Sequence, residues 1–358
     1  MNNKLARKRI KWPNGLPWFM LQWHITVRCD QRCQHCYIPK TQFYKRELEN
    51  ELPLEEVKRV IDSFVDFCRK AGARPGINFT GGDPLLRSDF FEILEYAFWQ
   101  GIRLAVMGNP FHLDVSTILR LKELDVKSFQ LSIDGLKETH DQLRKPGSFD
   151  ATLAAVRLLK EMDMRTVIMF TLSPKNVSDL LGVMEIASEE KVDVFSFARY
   201  VKSPHEKEVD FEPMEYRDIL LRVQEKSRVL RSKGSKTRFG RKDHLWKLLF
   251  YEQGRWSPNP NPRRQVISGC HVGRSNLTIL SDGTVFACRR FESPIGKVPE
   301  QSILQVYISQ ELNSYRILEK FEKCSKCPLL YHCRGCPAVA FGKSGNFYAP
   351  DPQCWRMV

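Results

Sequence analysis

Three cysteines near the start of the chain, Cys29, Cys33 and Cys36, have the spacing C-x3-C-x2-C. One short loop can therefore present all three thiolates to the same metal group. Three thiolates can hold three corners of a cubane iron–sulfur cluster and leave the fourth iron without a protein ligand. An iron with an open position can bind a substrate or a cofactor, so the motif predicts a cluster that takes part in chemistry.

A zinc site, or an incidental group of thiols, is the alternative for these cysteines. Zinc in a structural site is almost always four-coordinate, and such a site would recruit a second pair of ligands. No isolated cysteine pair follows in the next stretch of roughly 200 residues, where Cys68 stands alone. Cys68 lies on the apolar side of a predicted helix, and we expect it to be a buried structural thiol. The spacing therefore favours iron.

The cysteine loop follows the first of six predicted strands. From residue 20 to about 200, short apolar runs alternate with segments of helical periodicity, which is typical of βα units and a parallel sheet. The strand candidates are 20–26, 77–80, 103–107, 128–133, 166–171 and 192–198. The helix candidates are 54–71, 88–100, 114–124, 149–162 and 176–190, with Ser88 and Ser116 as expected N-caps. Because parallel βα connections are right-handed, these units predict an α/β fold, a partial (β/α)6 TIM-type barrel with its functional groups at the carboxyl ends of the strands.

Glycines and polar residues follow several of these strands. They are Gly81, Gly82, Asp83, Asn109, Ser132 and Asp134, of which the first three belong to the string GGDP. Glycine allows a backbone to approach a bound cofactor closely. Taken one at a time, residues at strand ends are more typical of turns and helix caps than of ligands. Together with the cysteine loop, they favour a cofactor site.

These residues and the cysteine loop resemble the radical S-adenosylmethionine (SAM) superfamily over residues 20–200. The resemblance implies a 4Fe-4S cluster on the three cysteines, with SAM bound to its open iron. It places His35 against the adenine, the GGDP string at the amino group and the polar strand ends near the ribose. GGDP is similar to the family's GGEP, with Asp83 in place of Glu. Arg144 resembles an arginine that pairs with the SAM carboxylate, although it is equally typical of a surface ion pair.

Seven of the eleven cysteines lie near the C-terminus. They are Cys270, Cys288, Cys324, Cys327, Cys333, Cys336 and Cys354. The first two flank a predicted β-hairpin at 277–287, and a helix is expected near 310–322. The two CxxC pairs stand five residues apart, which is short for two zinc knuckles. Iron–sulfur ligation is therefore favoured over a zinc ribbon.

This cysteine pattern resembles the SPASM domain, which implies two auxiliary 4Fe-4S clusters. The family's scheme assigns to one closed cluster Cys324, Cys327, Cys333 and Cys354. It assigns Cys270, Cys288 and Cys336 to the other cluster, which then lacks a fourth cysteine. An open iron that binds a substrate thiolate, or a bond from His271, would complete it. The last CxxC pair departs from the family, which usually has three intervening residues there.

Composition and charge bound the remaining possibilities. The chain has 358 residues, 42% of them hydrophobic and 27% charged, which are globular proportions for about two domains. No apolar run is long enough to span a bilayer, so we expect a cytoplasmic protein whose thiols bind metal. The net charge of +14 is concentrated at 226–264, which holds twelve Lys or Arg against two acids. This segment would attract nucleic acid, an acidic peptide or an anionic small molecule, or is a solvated basic face.

Four regions are therefore expected along the chain. They are a basic N-terminal extension at 1–19, the partial barrel at 20–225, a basic helical and Pro/Asn-rich linker at 226–262, and a small cysteine-rich SPASM domain with a β-hairpin and a helix at 263–358. The whole of 212–250 is predicted to be helical. With 28 residues before Cys29, we expect no leader-binding module ahead of the barrel.

The resemblance implies reductive cleavage of SAM to a 5'-deoxyadenosyl radical that abstracts hydrogen from a peptide and modifies it, for example by a thioether crosslink. It implies a peptide substrate with a leader segment and an electron donor such as flavodoxin or ferredoxin, and no membrane. The alternative is the same chemistry on a protein, as in a sulfatase maturase or a quinone-cofactor maturase. Arg289 and Arg290 weaken the sulfatase reading, because those maturases have an Asp after the hairpin cysteine. A zinc-containing nucleic-acid-binding protein is a further alternative, and it leaves the barrel pattern unexplained.

Overall fold

A single ten-stranded sheet organises the chain. The computed structural model describes residues 9–203, 206, 209–261 and 264–357. Residues 1–8 of the expected N-terminal extension, residue 262 of the expected linker and residues 263 and 358 of the expected SPASM domain lie outside the described residues. The strand order is β10-β9-β8-β1-β2-β3-β4-β5-β6-β7. The strands are β1 (Trp18–Thr26), β2 (Arg74–Gly81), β3 (Arg103–Met107), β4 (Val126–Ser132), β5 (Thr166–Leu172), β6 (Val194–Arg199), β7 (Arg238–Gly240), β8 (Asn276–Ile279), β9 (Thr284–Phe286) and β10 (Pro294–Lys297).

Helices connect the parallel strands and cover the outer face of the sheet. They are α1 (Tyr44–Glu49), α2 (Leu54–Ala71), α3 (Phe90–Trp99), α4 (Val115–Glu123), α5 (Lys137–Leu143), α6 (Ser148–Glu161), α7 (Leu180–Glu189), α8 (Pro213–Ser232), α9 (Trp246–Glu252), α10 (Ile303–Tyr307), α11 (Gln310–Asn313) and α12 (Pro337–Ser344). The predicted α/β fold, with a mostly parallel sheet and a cysteine-rich C-terminal region, is confirmed. Among the described residues, no helix has both the length and the apolar character needed to cross a bilayer.

Strand β1 has two different faces. Its outer face is apolar and fully packed, with Phe19, Leu21, Trp23 and Ile25 all buried. The ring of Phe19 contacts Phe64 and Phe67 of α2, with ring centroids 6.1 and 4.8 Å away. Gln22, on the opposite face, lines a large interior cavity. Successive strand side chains alternate in direction, so the same strand seals the core and presents polar groups to the cavity.

The C-terminal hairpin continues the barrel sheet. Strand β8 pairs with β1 in parallel, with Trp23 opposite Ile279, and β9 and β10 follow as antiparallel strands. The predicted hairpin at 277–287 is thereby confirmed. Cys270 precedes β8 and Cys288 follows β9, so the hairpin holds both thiols on the side away from its turn. The cysteine-rich region is therefore joined to the barrel by backbone hydrogen bonds.

Helix α1 holds the turn of this hairpin. Arg46 donates to Asp282 Oδ2 at 2.6 Å, and Glu47 accepts from the backbone N–H of Ser281 at 3.1 Å. Burial raises the pKa of Glu47 to about 7. Gly283 in the turn has φ +85°, and a Cβ there would lie 2.0 Å from the carbonyl oxygen of Val298. Only glycine fits this turn without displacing the backbone.

Several sequence predictions were wrong in detail. Neither predicted serine caps its helix: Asp89 occupies the N-cap position of α3, and Asp114 caps α4 by accepting from Thr117 N at 2.7 Å. Ser88 and Ser116 were placed one residue too early and two too late. Asp and Ser are both good N-caps, so residue type alone could not decide which of two nearby residues begins the helix.

Two segments also differ from the predicted elements. The segment 212–250 is not one helical region, because β7 lies between α8 and α9 and adds a seventh parallel strand to the six predicted. The segment 310–322 contains α11 and a short 3-10 turn rather than a continuous helix. Helix α12, which begins directly after Cys336, was not predicted, because the short apolar run PAVAF follows a cysteine-rich loop.

The raised pKa of Glu47 predicts a pH dependence of stability. The folded state binds this proton more tightly than the unfolded state, so stability falls as pH rises from the ordinary value of 4.5 to about 7. Glu47→Gln has no such proton, and its melting temperature should fall less than that of the wild type between about pH 5 and about pH 8. Differential scanning fluorimetry measures both. Glu49→Gln, on the exposed side of the same helix, is the control and should keep the wild-type pH dependence.

Candidate functional site

The first three cysteines lie in the irregular loop that follows β1. The backbone N–H of Cys36 donates to the carbonyl of Cys33 at 3.0 Å, which closes a tight turn between them. Burial, together with the neighbouring Cys33, raises the pKa of Cys29 to about 11. The pKa of Cys36 is raised for the same two reasons. Cys33 is thus near enough to influence both other thiols, and a metal bound to the three would displace their protons.

Asp134 organises the polar side of this loop. It lies just after β4 and is fully buried. Its Oδ1 accepts from the backbone N–H of Thr171 at 2.6 Å, and its Oδ2 accepts from Arg144 at 2.6 Å and from His35 at 3.1 Å. Burial alone would raise its pKa, but Arg144 and His35 hold the pKa well below its usual range. Asp134 is therefore a permanent anion that positions two of the predicted cofactor-binding side chains.

Arg144 connects this anion to the cysteine loop. It donates to Gln31 Oε1 at 3.1 Å and lies 3.7 Å from the sulfur of Cys33. Arg144, His35 and Ser132 all line the interior cavity, whereas Asp134 does not. The arrangement leaves Arg144 and His35 accessible to a bound molecule and keeps their carboxylate partner out of reach.

The two glycines of the GGDP string are required by the chain that leads into the cysteine loop. A Cβ on Gly81 would lie 2.0 Å from the carbonyl oxygen of Thr26, and one on Gly82 would lie 2.0 Å from that of Arg28. The backbone N–H of Gly82 donates to Thr26 O at 2.8 Å. Both glycines line the cavity. They therefore let β2 approach the cysteine loop closely. From the sequence, these glycines were expected only to let the backbone approach a cofactor.

Asp83 and Asn109 lie on either side of this contact. Asp83 is fully buried, does not line the cavity, and accepts from Leu85 N at 3.1 Å. Burial raises its pKa to about 6. Asn109 does line the cavity and donates to Asp30 Oδ1 at 2.6 Å. Of the two, only Asn109 is placed to touch a molecule in the cavity.

The C-terminal cysteines form two separate groups. In one, Cys288 and Cys336 add to burial in raising the pKa of Cys270 to about 12. The other group behaves in the same way, with burial and the neighbouring thiols raising the pKa of most members. Its members are Cys324, Cys327, Cys333 and Cys354. The structure thus brings together the same two sets that the resemblance implies.

One cavity of about 820 Å³ extends from the first cysteine loop to the C-terminal cysteines. It is lined by Cys29, Cys33 and Cys36 and also by Cys270, Cys288 and Cys336. The four remaining C-terminal cysteines do not line it. His271 does, and it is exposed there. Cys68, on α2, is buried in the hydrophobic core, as expected. A molecule in this cavity would lie between the two three-cysteine sets.

Arg199, at the end of β6, is a structural residue that the sequence analysis missed. It donates to Asp243 at 2.8 Å and to Asp351 at 2.7 Å, and all three side chains are buried. Asp351 Oδ2 in turn accepts from the backbone N–H of Cys336 at 2.7 Å. Arg290 donates to the carbonyl of Arg199 and to the sulfur of Cys336. An arginine ending an otherwise apolar strand, VFSFAR, was the signal available in the sequence.

Two sequence families match the chain. The radical SAM superfamily matches residues 23–212, and the iron–sulfur cluster-binding domain called SPASM matches residues 270–337. Among curated relatives, Fe-coproporphyrin III synthase of Methanosarcina barkeri is 28% identical over 353 residues, covering 93% of this chain and 86% of the relative. AdoMet-dependent heme synthase of the same organism is 26% identical, covering 94% and 95%. The sporulation killing factor maturation protein SkfB of Bacillus subtilis is 24% identical, covering 84% and 67%.

Solved structures share the fold. SuiB of Streptococcus suis bound to S-adenosylmethionine superposes with a TM-score of 0.74 at 18% identity, covering 95% of this chain and 78% of SuiB. AnSMEcpe with bound AdoMet gives a TM-score of 0.71 at 19% identity, covering 93% and 94%. At these identities the likeness is one of fold, and it extends over both the barrel and the cysteine-rich region.

Removal of the Asp134 charge should release both side chains that it holds. Asp134→Asn leaves the Arg144 guanidinium without its anion, which should cost about 3 kcal/mol of stability. It should also weaken AdoMet binding, because His35 and Arg144 lose their fixed positions. Urea unfolding and equilibrium dialysis with labelled AdoMet measure the two effects. Asp150→Asn, which removes an exposed carboxylate paired with Lys137, is the matched control. Equal behaviour of the two variants would contradict the positioning role of Asp134.

Proposed function

The chain belongs to the radical SAM superfamily and carries a C-terminal SPASM domain, and we propose that it oxidises a carboxylate-bearing tetrapyrrole held in the cavity between its two three-cysteine sets. The observation that carries the placement of the substrate is the shared cavity. Its volume of about 820 Å³ lies within the range of small-molecule and cofactor sites. A substrate there would be within reach of both sets at once.

Family membership implies a 4Fe-4S cluster with SAM, and the SPASM domain implies auxiliary iron–sulfur clusters. Cys29, Cys33 and Cys36 fit the first, because one loop presents all three thiols to the same cavity and leaves a fourth position open. The remaining groups fit the auxiliary clusters. When bound and reduced, the first cluster supplies the electron that cleaves SAM and yields a radical able to abstract hydrogen from carbon. Predicted contacts to SAM from His35 and Arg144 belong to this proposal.

The protein's own part in the reaction is to position and to shield. Asp134 holds Arg144 and His35 in one orientation. Among the described residues that line the cavity, Asp243 is the one acidic side chain, so the charged side chains of the lining are mainly cationic. The glycines Gly81 and Gly82 bring β2 against the cysteine loop. A substrate radical would need an electron acceptor, and the Cys270, Cys288 and Cys336 set opens into the same space. We infer that this set lacks a fourth cysteine because the position faces substrate or His271.

The tetrapyrrole assignment rests on the relatives that match nearly the full chain. Those relatives are named Fe-coproporphyrin III synthase and AdoMet-dependent heme synthase. Coproporphyrin carries several propionate carboxylates, and the cavity is rich in cationic side chains. An anionic macrocycle would therefore find both space and opposite charge.

A peptide substrate is the second candidate. SkfB is a maturation protein, and one SuiB structure holds its precursor peptide SuiA. A cysteine-containing peptide with a leader segment could present a thiolate to the open Cys270, Cys288 and Cys336 set. For either candidate, we propose that the basic segment 226–264 helps to attract the anionic substrate. We also propose that a flavodoxin or ferredoxin supplies the electron. Modification of a folded sulfatase has less support, because Arg289 follows the hairpin cysteine.

Iron content and SAM cleavage test the cofactor assignment. Anaerobically reconstituted wild type should hold about twelve irons and release 5'-deoxyadenosine when reduced. Cys33→Ala should lose about four irons and all deoxyadenosine. Cys336→Ala should lose about four irons yet still cleave SAM, because the first set is intact. Cys68→Ala is the control and should match the wild type. Zinc in place of iron would contradict the proposal.

Substrate class is tested with the same reconstituted enzyme. Iron–coproporphyrin III should increase deoxyadenosine release and lose mass as its side chains are oxidised, as followed by mass spectrometry. The comparison substrate is a set of cysteine-containing peptides. Turnover of a peptide without turnover of the porphyrin would establish the second candidate instead.

A further inference from the structure

The wall of the cavity carries an excess of positive charge. Its cationic side chains are Arg32, Arg144, Arg199, Lys242, Arg289 and Arg290. Asp243, the one acid among the described lining residues, is paired with Arg199. The imbalance lies along one concave wall, although Arg32 and Lys242 are themselves exposed.

Some of these cations already have a carboxylate partner or another hydrogen-bond acceptor, and others do not. Arg144 is paired with Asp134, and Arg199 with two buried carboxylates. Arg290 is fixed by the carbonyl of Arg199 and the sulfur of Cys336. Within the described part of the chain, neither Lys242 nor Arg289 has a carboxylate within ion-pair distance. Arg32, in the first cysteine loop, has none either. Lys242 and Arg289 are the two unpaired cations among the described lining residues outside that loop.

Lys242 and Arg289 come from different parts of the chain and meet in the cavity. Lys242 follows β7, and Arg289 follows the hairpin cysteine Cys288. Burial, with the charges of Arg289 and Arg290, lowers the pKa of Lys242 to about 7. Arg289 also adds to burial in lowering the pKa of His24, on the inner face of β1. The pair therefore lies between the hairpin and the strand that leads to Cys29.

A solvated basic face accounts for only part of this placement. Lys242 belongs to the basic segment 226–264 and is exposed, but it lines the cavity, where the charges of Arg289 and Arg290 act on it. Like charges held together on one wall are unfavourable unless an anion joins them. Arg290 contacts Cys336, so its charge would partly neutralise an auxiliary cluster bound there. Arg289 lowers the pKa of Cys288, so the same role explains its presence in part. It does not account for Lys242.

We propose that Lys242 and Arg289 form a carboxylate-binding subsite that holds a propionate arm of the substrate against the wall between the two three-cysteine sets. A planar guanidinium can grip a carboxylate with two parallel hydrogen bonds, and an ammonium adds a third donor and a second charge. The subsite fixes which part of an anionic substrate faces the first cysteine loop. This assignment rests on the tetrapyrrole substrate proposed above.

Binding of coproporphyrin III to the reconstituted enzyme tests the subsite, with absorbance and fluorescence quenching as readouts. Its tetramethyl ester, which has the same ring and no free carboxylate, is the matched probe. Wild type should prefer the free acid. The double variant Lys242→Gln/Arg289→Gln should lose roughly 30-fold or more in affinity for the acid and little for the ester. Lys242→Arg should retain most of the affinity, since it keeps the charge.

Exposed residues supply the control. Lys233→Gln/Arg59→Gln removes the same charges from the surface and should bind both probes as the wild type does. Iron content and deoxyadenosine release without porphyrin should be unchanged in the surface variant. Iron content of the Lys242/Arg289 variant is measured beside it, so that a loss of affinity is compared at equal cluster loading.

Two results would overturn the subsite: equal affinity of wild type for acid and ester, or an unchanged affinity of the Lys242/Arg289 double variant for the acid. The proposed function fails differently. If wild type binds the free acid through this pair but neither oxidises it nor releases more deoxyadenosine, the carboxylate subsite stands and the tetrapyrrole is not the substrate.

Discussion

The parallel pairing of β1 with β8 is the contact on which the site depends. Strand β1 leads directly into the loop of Cys29, Cys33 and Cys36, and β8 begins the hairpin that carries Cys270 and Cys288. Backbone hydrogen bonds between them set the register of the two segments. A slip of one residue would turn every side chain of β8 to the opposite face. The common cavity of the two cysteine sets therefore follows from a ladder of main-chain bonds rather than from any side chain.

A second link ties the same regions together at the other edge of the barrel. Arg199 joins the end of β6 to Asp243 after β7 and to Asp351 near the C-terminus. The three buried charges satisfy one another and also engage the backbone beside Cys336. Removal of one partner would leave a buried charge unpaired, which commonly costs 3–5 kcal/mol. The cysteine-rich region is thus fastened to the first strand by its backbone and to the sixth by an ion pair.

Much of the fold could be predicted from periodicity. The helix at 54–71 and the strand at 103–107 were predicted at their observed limits, because their apolar residues recur at clear intervals. Short elements were not predicted: β7 has three residues within a basic stretch, and its place in the sheet depends on tertiary pairing with β6. The grouping of ten cysteines into three sets agrees with the resemblance, whereas Arg199 and Lys242 were missed. Arg199 ends an apolar strand, which was its signal in the sequence, whereas Lys242 looks like an ordinary surface cation and only the fold places it at the cavity.

The order of synthesis gives the β1–β8 pairing one more consequence. About 250 residues separate β1 from β8, and contacts between such distant segments form late and slowly. Until β8 emerges, one edge of β1 has no partner, and such an edge invites pairing with other chains. The cavity also lacks a wall during that time, and the first cysteine loop stands open to water and oxygen. A cell that makes this protein gains from delaying metal loading until the C-terminal hairpin has closed the sheet.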